Sequence, residues 1–313
     1  MSRLHKIAVS PHIHSGQSTS GIMRDVLIAL LPTTAAGIYL FGARAALVVA
    51  VCVIACVGFE ALFNLITKKD QTVGDLSAAV TGLLLGLNLP VTIPLWQCVI
   101  GSLFAIVVVK CLFGGIGCNL VNPAITARVF MLVAFGSTVQ SNVTNYPIPT
   151  GVDAVAGATP LAADAPVRSL WDLYFGKHGG SIGEVCAVAL LLGGAYLLIR
   201  RVITWQMPVT FVGTVFVFAL LQNNFDLTAA TAAILSGGLL IGAFFMATDY
   251  VTSPPTPWGK AVFGIGCGLI TCIIRYFGNL PEGVSYAILF MNILTPYIAK
   301  WTKHNVFGVG GVK

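Results

Sequence analysis

Charge is what this chain has least of. Only 9% of its 313 residues are Asp, Glu, Lys or Arg, against about 25% in a soluble domain. So few charges cannot coat a water-exposed surface, and 57% of the residues are hydrophobic, with a mean hydropathy of +0.89. This excludes the ordinary soluble classes and points to an integral membrane protein with apolar runs long enough to span. The net charge of +6 is then no nucleic-acid signal and is read loop by loop for orientation. A cleavable signal peptide is also missing. The first 23 residues are polar, carry Arg3, His5, Lys6, His12 and His14, and lack an apolar core. None of the eight cysteines forms Cys-x-x-Cys, and most lie in apolar runs, where Cys behaves as a small hydrophobe. Cys52 and Cys56 share a helix face by spacing, which leaves a metal or cluster role open beside packing. No iron–sulfur spacing and no G-x-G-x-x-G fingerprint at a strand-to-helix turn is present.

What is there is a series of apolar runs. Ten membrane segments are expected, at 24–41, 45–66, 76–89, 93–112, 120–137, 182–201, 206–222, 229–247, 258–276 and 283–300. Backbone groups in lipid must be satisfied internally, so these are helices, whole or broken. The fold class is an all-α polytopic membrane protein. Its parts are an N-terminal tail (1–23), a first membrane repeat (24–137), a polar loop (138–181), a second membrane repeat (182–300) and a C-terminal tail (301–313).

Lys and Arg set the orientation. With the N-terminus inside, the inner side holds Arg3, Lys6, Arg24, Lys68, Lys69, Lys110, Arg200, Arg201, Lys260, Lys300, Lys303 and Lys313. The outer side holds only Arg44, Arg168, Lys177 and Arg275, and Arg128 falls inside a helix. The positive-inside bias therefore puts both termini in the cytoplasm and the 138–181 loop outside.

The halves resemble each other. Thr81-Gly-Leu-Leu-Leu-Gly86 is similar to Ser236-Gly-Gly-Leu-Leu-Ile-Gly242. Each is followed by a Pro-rich break and a tryptophan, Trp96 or Trp258. Lys110 before Phe113-Gly114 parallels Arg275 before Phe277-Gly278. Five helices per half would make the repeats inverted, and Gly/Pro-interrupted segments at matching positions point to a midplane site. Chance likeness between Gly-rich membrane helices is the alternative. The five-plus-five architecture resembles urea and ammonium channel folds, so scaffold alone does not choose a function.

Polar groups within apolar segments narrow the search. Glu60 and Arg128 lie inside helices, where a charge normally has a function or a partner, and each is a candidate partner for the other. Asn122-Pro123-Ala124 reads as a helix start, with Asn122 as cap and Pro123 at the first position. Such a start serves equally as a cap or as an anion seat. Asp249, before the second Pro-rich break, either caps or faces a cation or flavin path.

The longest polar interruption, 137–180, contains Asp153-Ala-Val-Ala-Gly157-Ala158-Thr159-Pro160. Long loops in compact proteins usually carry function. Gly157 and Ala158 leave the Thr159 hydroxyl uncrowded, and Pro160 fixes the chain direction after it. A plain surface turn has the same look.

Taken together these motifs carry a resemblance over essentially the whole chain. Ser10-Pro-His12, Met23 with Ala29-Leu-Leu-Pro32, Asn122-Pro-Ala124, the Asp153 to Thr159 loop and Met246-Ala-Thr-Asp-Tyr-Val-Thr-Ser-Pro254 resemble the D subunits of Rnf complexes, the ion-translocating ferredoxin:NAD+ oxidoreductases. More distantly, they are similar to the B subunit of the sodium-pumping NADH:quinone reductase. The resemblance implies FMN joined by a phosphoester to Thr159 by a flavin transferase that uses FAD. The transferase pattern is roughly Asp-x-x-Ser/Thr-Gly-Ala-Thr, and Ala156 departs from it. It implies Asp153, Gly157 and Ala158 in that motif, with Asn122 as a further cofactor-binding candidate. Glu60 and Asp249 become candidates for ion or electron coupling, and a second, noncovalent flavin (riboflavin or FMN) is expected in the membrane region. No metal site and no nucleic acid is expected. The implied partners are the A, B, C, E and G subunits, the transferase and the lipid bilayer, with ferredoxin and NAD+ handled by partners. The implied location is a bacterial or archaeal cytoplasmic membrane. A small-solute channel or transporter is the competing reading and a purely structural scaffold a third. The flavin loop, which a channel would not need, discriminates.

Overall fold

The computed structural model describes residues 18–140, 169–176, 178–278 and 283–303. Among them every regular element is helical. Helix α1 (Thr19–Phe41) starts earlier than its apolar run because Ser18 caps it, its Oγ accepting from Gly21 N at 3.2 Å. Helix α2 (Ala43–Ile66) follows after Gly42, whose φ of 76° turns the chain back at once. A single 3₁₀ turn, Val73–Asp75, leads to the short α3 (Ser77–Leu87). Helix α4 (Leu95–Cys111) changes from α to π at Phe104. Then come α5 (Pro123–Ala134), α6 (Gly136–Gln140) and α7 (Leu170–Phe175).

The second half begins with α8 (Ala187–Ile199) and α9 (Gln206–Gln222). The expected 229–247 helix is broken: α10 (Leu227–Leu235) and α11 (Leu239–Met246, mostly π) meet at 64°. Gly237, with φ of 69°, lies in the break. Helices α12 (Pro257–Phe277) and α13 (Val284–Trp301) complete the chain. Trp96 and Trp258 each occupy the second position of their helix, behind a Pro-rich stretch.

Three described helices, α1, α2 and α12, are long and apolar enough to cross a membrane by length and composition, and the bent α10–α11 pair makes a fourth. The expected 182–201 segment differs most from its reading. Its helix begins only at Ala187, and 178–185 is buried, irregular chain. Gly-Gly-Ser-Ile-Gly supplies backbone that packs closely but does not hold a helix.

One apolar core runs through both halves and includes Leu30, Leu85, Ile125, Leu190, Phe211, Leu240, Phe263 and Ile288. The strongest pairings are α9 with α12, α2 with α3, α2 with α4, α1 with α8 and α12 with α13. Small residues permit these approaches, as they do where helices pack in lipid. A Cβ on Gly193 would sit 2.2 Å from the Ala29 carbonyl oxygen, so only glycine allows α8 that close to α1. At the end of the same seam Asp25 accepts from Arg200 (3.2 Å) and Tyr196 (3.3 Å).

Candidate functional site

The 178–185 segment lies against both interrupted helices, a Cβ on Gly183 being 2.6 Å from Leu87 Cβ and 3.3 Å from Ile241 Cδ1, and Asn88 Nδ2 reaches Met246 Sδ at 3.7 Å. Helix α3 ends at Leu87, exposing carbonyls that a continuing helix would have bonded. Gly183 N donates to Leu87 O (2.7 Å) and Ile182 N to Leu89 O (3.2 Å), so the inserted segment satisfies them. Asn88 closes the same end through Nδ2 to Leu84 O (2.7 Å), and its Oδ1 accepts from Arg128 Nη1. Glu184 is buried beside this junction. Its Oε1 accepts from Ser181 N (3.0 Å), and its Oε2 faces Gly238 in the α10–α11 break. At that break Arg275 donates to Ala233 O (2.8 Å) and Ser236 O (3.1 Å).

A second polar group surrounds the start of α5. Asn122 Oδ1 accepts from Ala124 N (3.0 Å) and Ile125 N (3.3 Å), and Pro123 has no N–H. The cap thus uses the donors that the anion reading needed. Asn122 Nδ2 reaches across to Met246 O (3.2 Å). The Asn292 amide, with oxygen and nitrogen assigned from their surroundings, accepts from Asn122 N (3.1 Å) and donates to Thr252 O (3.2 Å). Asp249, half-buried, accepts from Thr252 Oγ1 (3.2 Å) and Val251 N (3.4 Å). Burial pushes its carboxyl above the usual range, and those two hydrogen bonds pull it the other way. Asn119, Asn122, Asp249, Lys110, Leu84 and Phe244 contribute to the lining of a cavity of about 100 Å³. Asn119 Oδ1 is a buried acceptor with no donor among the described residues.

The third group corrects the expected pairing of Glu60. Glu60 pairs with Lys110 rather than Arg128, Nζ lying 2.7 Å from Oε1. Lys110 is only 2% exposed and donates also to Ser77 Oγ at 2.6 Å. Thr72 Oγ1 donates to Glu60 Oε1 (2.8 Å), and Asn64 Nδ2 to Thr72 Oγ1 (3.0 Å). A cavity of about 130 Å³ adjoins Glu60, Asn64 and Thr72. Cys52 and Cys56 are buried free thiols, and among the described residues no group of three or more His, Cys, Asp or Glu side chains is placed to hold a metal ion.

The sequence reading missed Glu184, Asn88 and the burial of Lys110. Glu184 had a signal, being a carboxylate within an apolar segment like Glu60. Asn88 sits directly before the first Pro-rich break, which marks an interrupted helix end. Asp153, Gly157, Ala158 and Thr159 lie outside the described residues.

The family described as NQR2, RnfD, RnfE matches residues 6–308. The chain is 46% identical over 314 residues to the D subunit of the Na(+)-translocating ferredoxin:NAD(+) oxidoreductase complex of Acetobacterium woodii, covering 98% of this chain and 96% of that one. It is 39% identical over 323 residues to the proton-translocating counterpart of Clostridium ljungdahlii, covering 96% of each. The D subunit of an ion-translocating oxidoreductase complex of Escherichia coli is 32% identical over 345 residues, covering 97% of this chain and 98% of that one.

Proposed function

Because the chain belongs to the NQR2, RnfD, RnfE family, we propose that it is the D subunit, a membrane flavoprotein, of an ion-translocating ferredoxin:NAD+ oxidoreductase complex. The observation that carries this is similarity along nearly the whole of both chains to subunits of that name. It favours electron transfer over the channel reading. The complex would couple electron transfer between ferredoxin and NAD+ to movement of Na+ or H+. The two relatives are named for different ions, so membership alone does not choose between them. The other subunits would bind ferredoxin and NAD+, and this chain would carry electrons between flavins.

We place FMN on Thr159, joined through its phosphate to the hydroxyl. With FAD as donor, the Thr159 oxygen forms a new bond to the flavin-side phosphorus. The phosphoanhydride breaks, AMP leaves, and the hydroxyl proton goes to solvent or the transferase. Asp153, Gly157 and Ala158 would present the threonine. The fold would comprise ten membrane segments in two inverted repeats with both termini cytoplasmic, in keeping with the Lys/Arg bias, so Thr159 would face outward.

For a second, noncovalent flavin the cavity at Asn119, Asn122 and Asp249 fits in chemistry. A flavin would supply one- and two-electron redox chemistry there. Asn119 offers an acceptor without a donor, Lys110 a buried donor, and Leu84 and Phe244 apolar walls. Its 100 Å³ is below the roughly 300 Å³ of ordinary ligand clefts, so binding would widen it. Asp249 and Glu60 are retained as coupling candidates, Asp249 as a carboxylate on the cavity wall.

The test is denaturing gel electrophoresis of the complex expressed with its flavin transferase. The wild-type band fluoresces as flavin, and Thr159→Ala removes that fluorescence while the chain still assembles into the complex. Fluorescence persisting in Thr159→Ala would refute the assignment.

A further inference from the structure

We propose that the exposed aromatic pair Trp171 and Phe175 on α7 is the stacking platform for the isoalloxazine ring of the FMN placed on Thr159. The proposal rests on the Thr159 reading. Helix α7 has two distinct faces. Leu173 is buried, whereas Trp171 and Phe175, four residues apart, are 71% and 55% exposed. That spacing puts both rings on one side of the helix. Their planes are 13° from parallel, with centroids 6.1 Å apart. Among the described residues this is the only near-parallel ring pair with both members exposed. A third ring between them would need about 7 Å, two carbon contact distances. A flat ligand therefore extends the stack from the open side of Trp171. Such a face takes a flat heteroaromatic ring, with little demand on its hydrogen-bonding groups.

Helix α7 is pinned from several sides. Gly176 closes it with φ of 87°, and Gly176 N donates to Asp172 O at 2.9 Å. A Cβ on Gly176 would lie 2.8 Å from Leu40 Cδ1, so α7 rests on the C-terminal end of α1. Cys186 Sγ, at the start of α8, approaches Tyr174 O at 3.9 Å. A platform fixed beforehand loses little freedom when a ring lands on it. The occupant follows from the chain that leads into α7. The residues outside the described structure end at Ser169, the N-cap of α7. Thr159 stands ten residues before Ser169, so its hydroxyl is within about 35 Å of the platform. A ligand tethered at that range has an effective concentration of the order of millimolar, which lets stacking alone hold it. Trp also anchors helices at membrane interfaces, but an anchor needs no parallel ring four residues on.

Indole in van der Waals contact quenches flavin emission, so the stack is read from native fluorescence. The assembled complex is measured after subtracting the emission of a Thr159→Ala complex, which cancels every other flavin. Trp171→Leu should lower the ratio of stacked to free flavin about tenfold, the equivalent of about 1.4 kcal/mol. The Thr159-dependent emission should rise severalfold. Trp171→Tyr keeps a stacking, quenching ring and should restore most of the quenching. Trp205→Leu, at a 61% exposed residue before α9, should change nothing. Denaturing gels of the same samples report the attached flavin. A wild-type band without flavin overturns the Thr159 reading and the platform with it. Flavin present, with equal native emission in wild type and Trp171→Leu, overturns the platform alone. Failure of Trp171→Leu to assemble also overturns it, because the ring then serves a subunit contact.

Discussion

The first and second helix breaks present the same problem and solve it differently. After α3 the loose carbonyls of Leu87 and Leu89 are bonded by the main chain of Gly183 and Ile182. After α10 the carbonyls of Ala233 and Ser236 are bonded by one side chain, Arg275. The guanidinium fork suits two carbonyls at once, where a lysine ammonium would be a single point. A break held by main chain depends on the path of a neighbouring segment, and one held by a side chain depends on one residue. Arg44 adds a side-chain bond at the first break, to Ile93 O at 2.9 Å, but from an exposed position.

The sharpest way to break this comparison is Gly183→Pro. It removes the N–H to Leu87 and puts carbon where a Cβ would already be 2.6 Å from Leu87 Cβ. Assembly into the complex, followed by size-exclusion chromatography in detergent, should be lost. A normal profile would show that the inserted segment does not hold the first break.

Glu60→Ala comes next and sets a charged pair beside the two breaks. It leaves Lys110 buried without its carboxylate and should cost about 3–5 kcal/mol, read as a lowered unfolding temperature. Glu60→Leu with Lys110→Met should recover most of that, because neither charge then remains dry. Arg275→Ala should cost about 2 kcal/mol by leaving the α10 carbonyls unpaired. Arg44→Ala should cost under about 1 kcal/mol, since the exposed Arg44 side chain is all that covers this bond from outside and its removal admits water to the Ile93 carbonyl. An Arg44 effect equal to that of Arg275 would erase the distinction between the breaks.

Much of the helical framework was legible because hydropathy and caps are local. Asn122 with Pro123 marks a helix start in the sequence and in the fold, while the Ser18 and Thr256 caps were seen only in the fold. The Pro residues after α3 signalled interruption, whereas the α10–α11 break falls inside the 229–247 stretch expected as one segment. Lys110 was illegible for a physical reason. Near the end of an apolar run it resembles a side chain reaching for the interface, and only the register of α2, fifty residues earlier, brings Glu60 to it. The buried 178–185 chain was hidden for another. Hydropathy averages over a window and does not distinguish an apolar helix from Gly-rich chain packed inside one.

The central claim stands on Thr159, and peptide mass spectrometry of the purified complex tests it most directly. The peptide containing Thr159 should carry the mass of FMN less one water. The flavin should be localised to that residue by fragmentation and be absent from the neighbouring Thr150. An unmodified Thr159 from cells with an active flavin transferase, or FMN on another residue, would contradict the account.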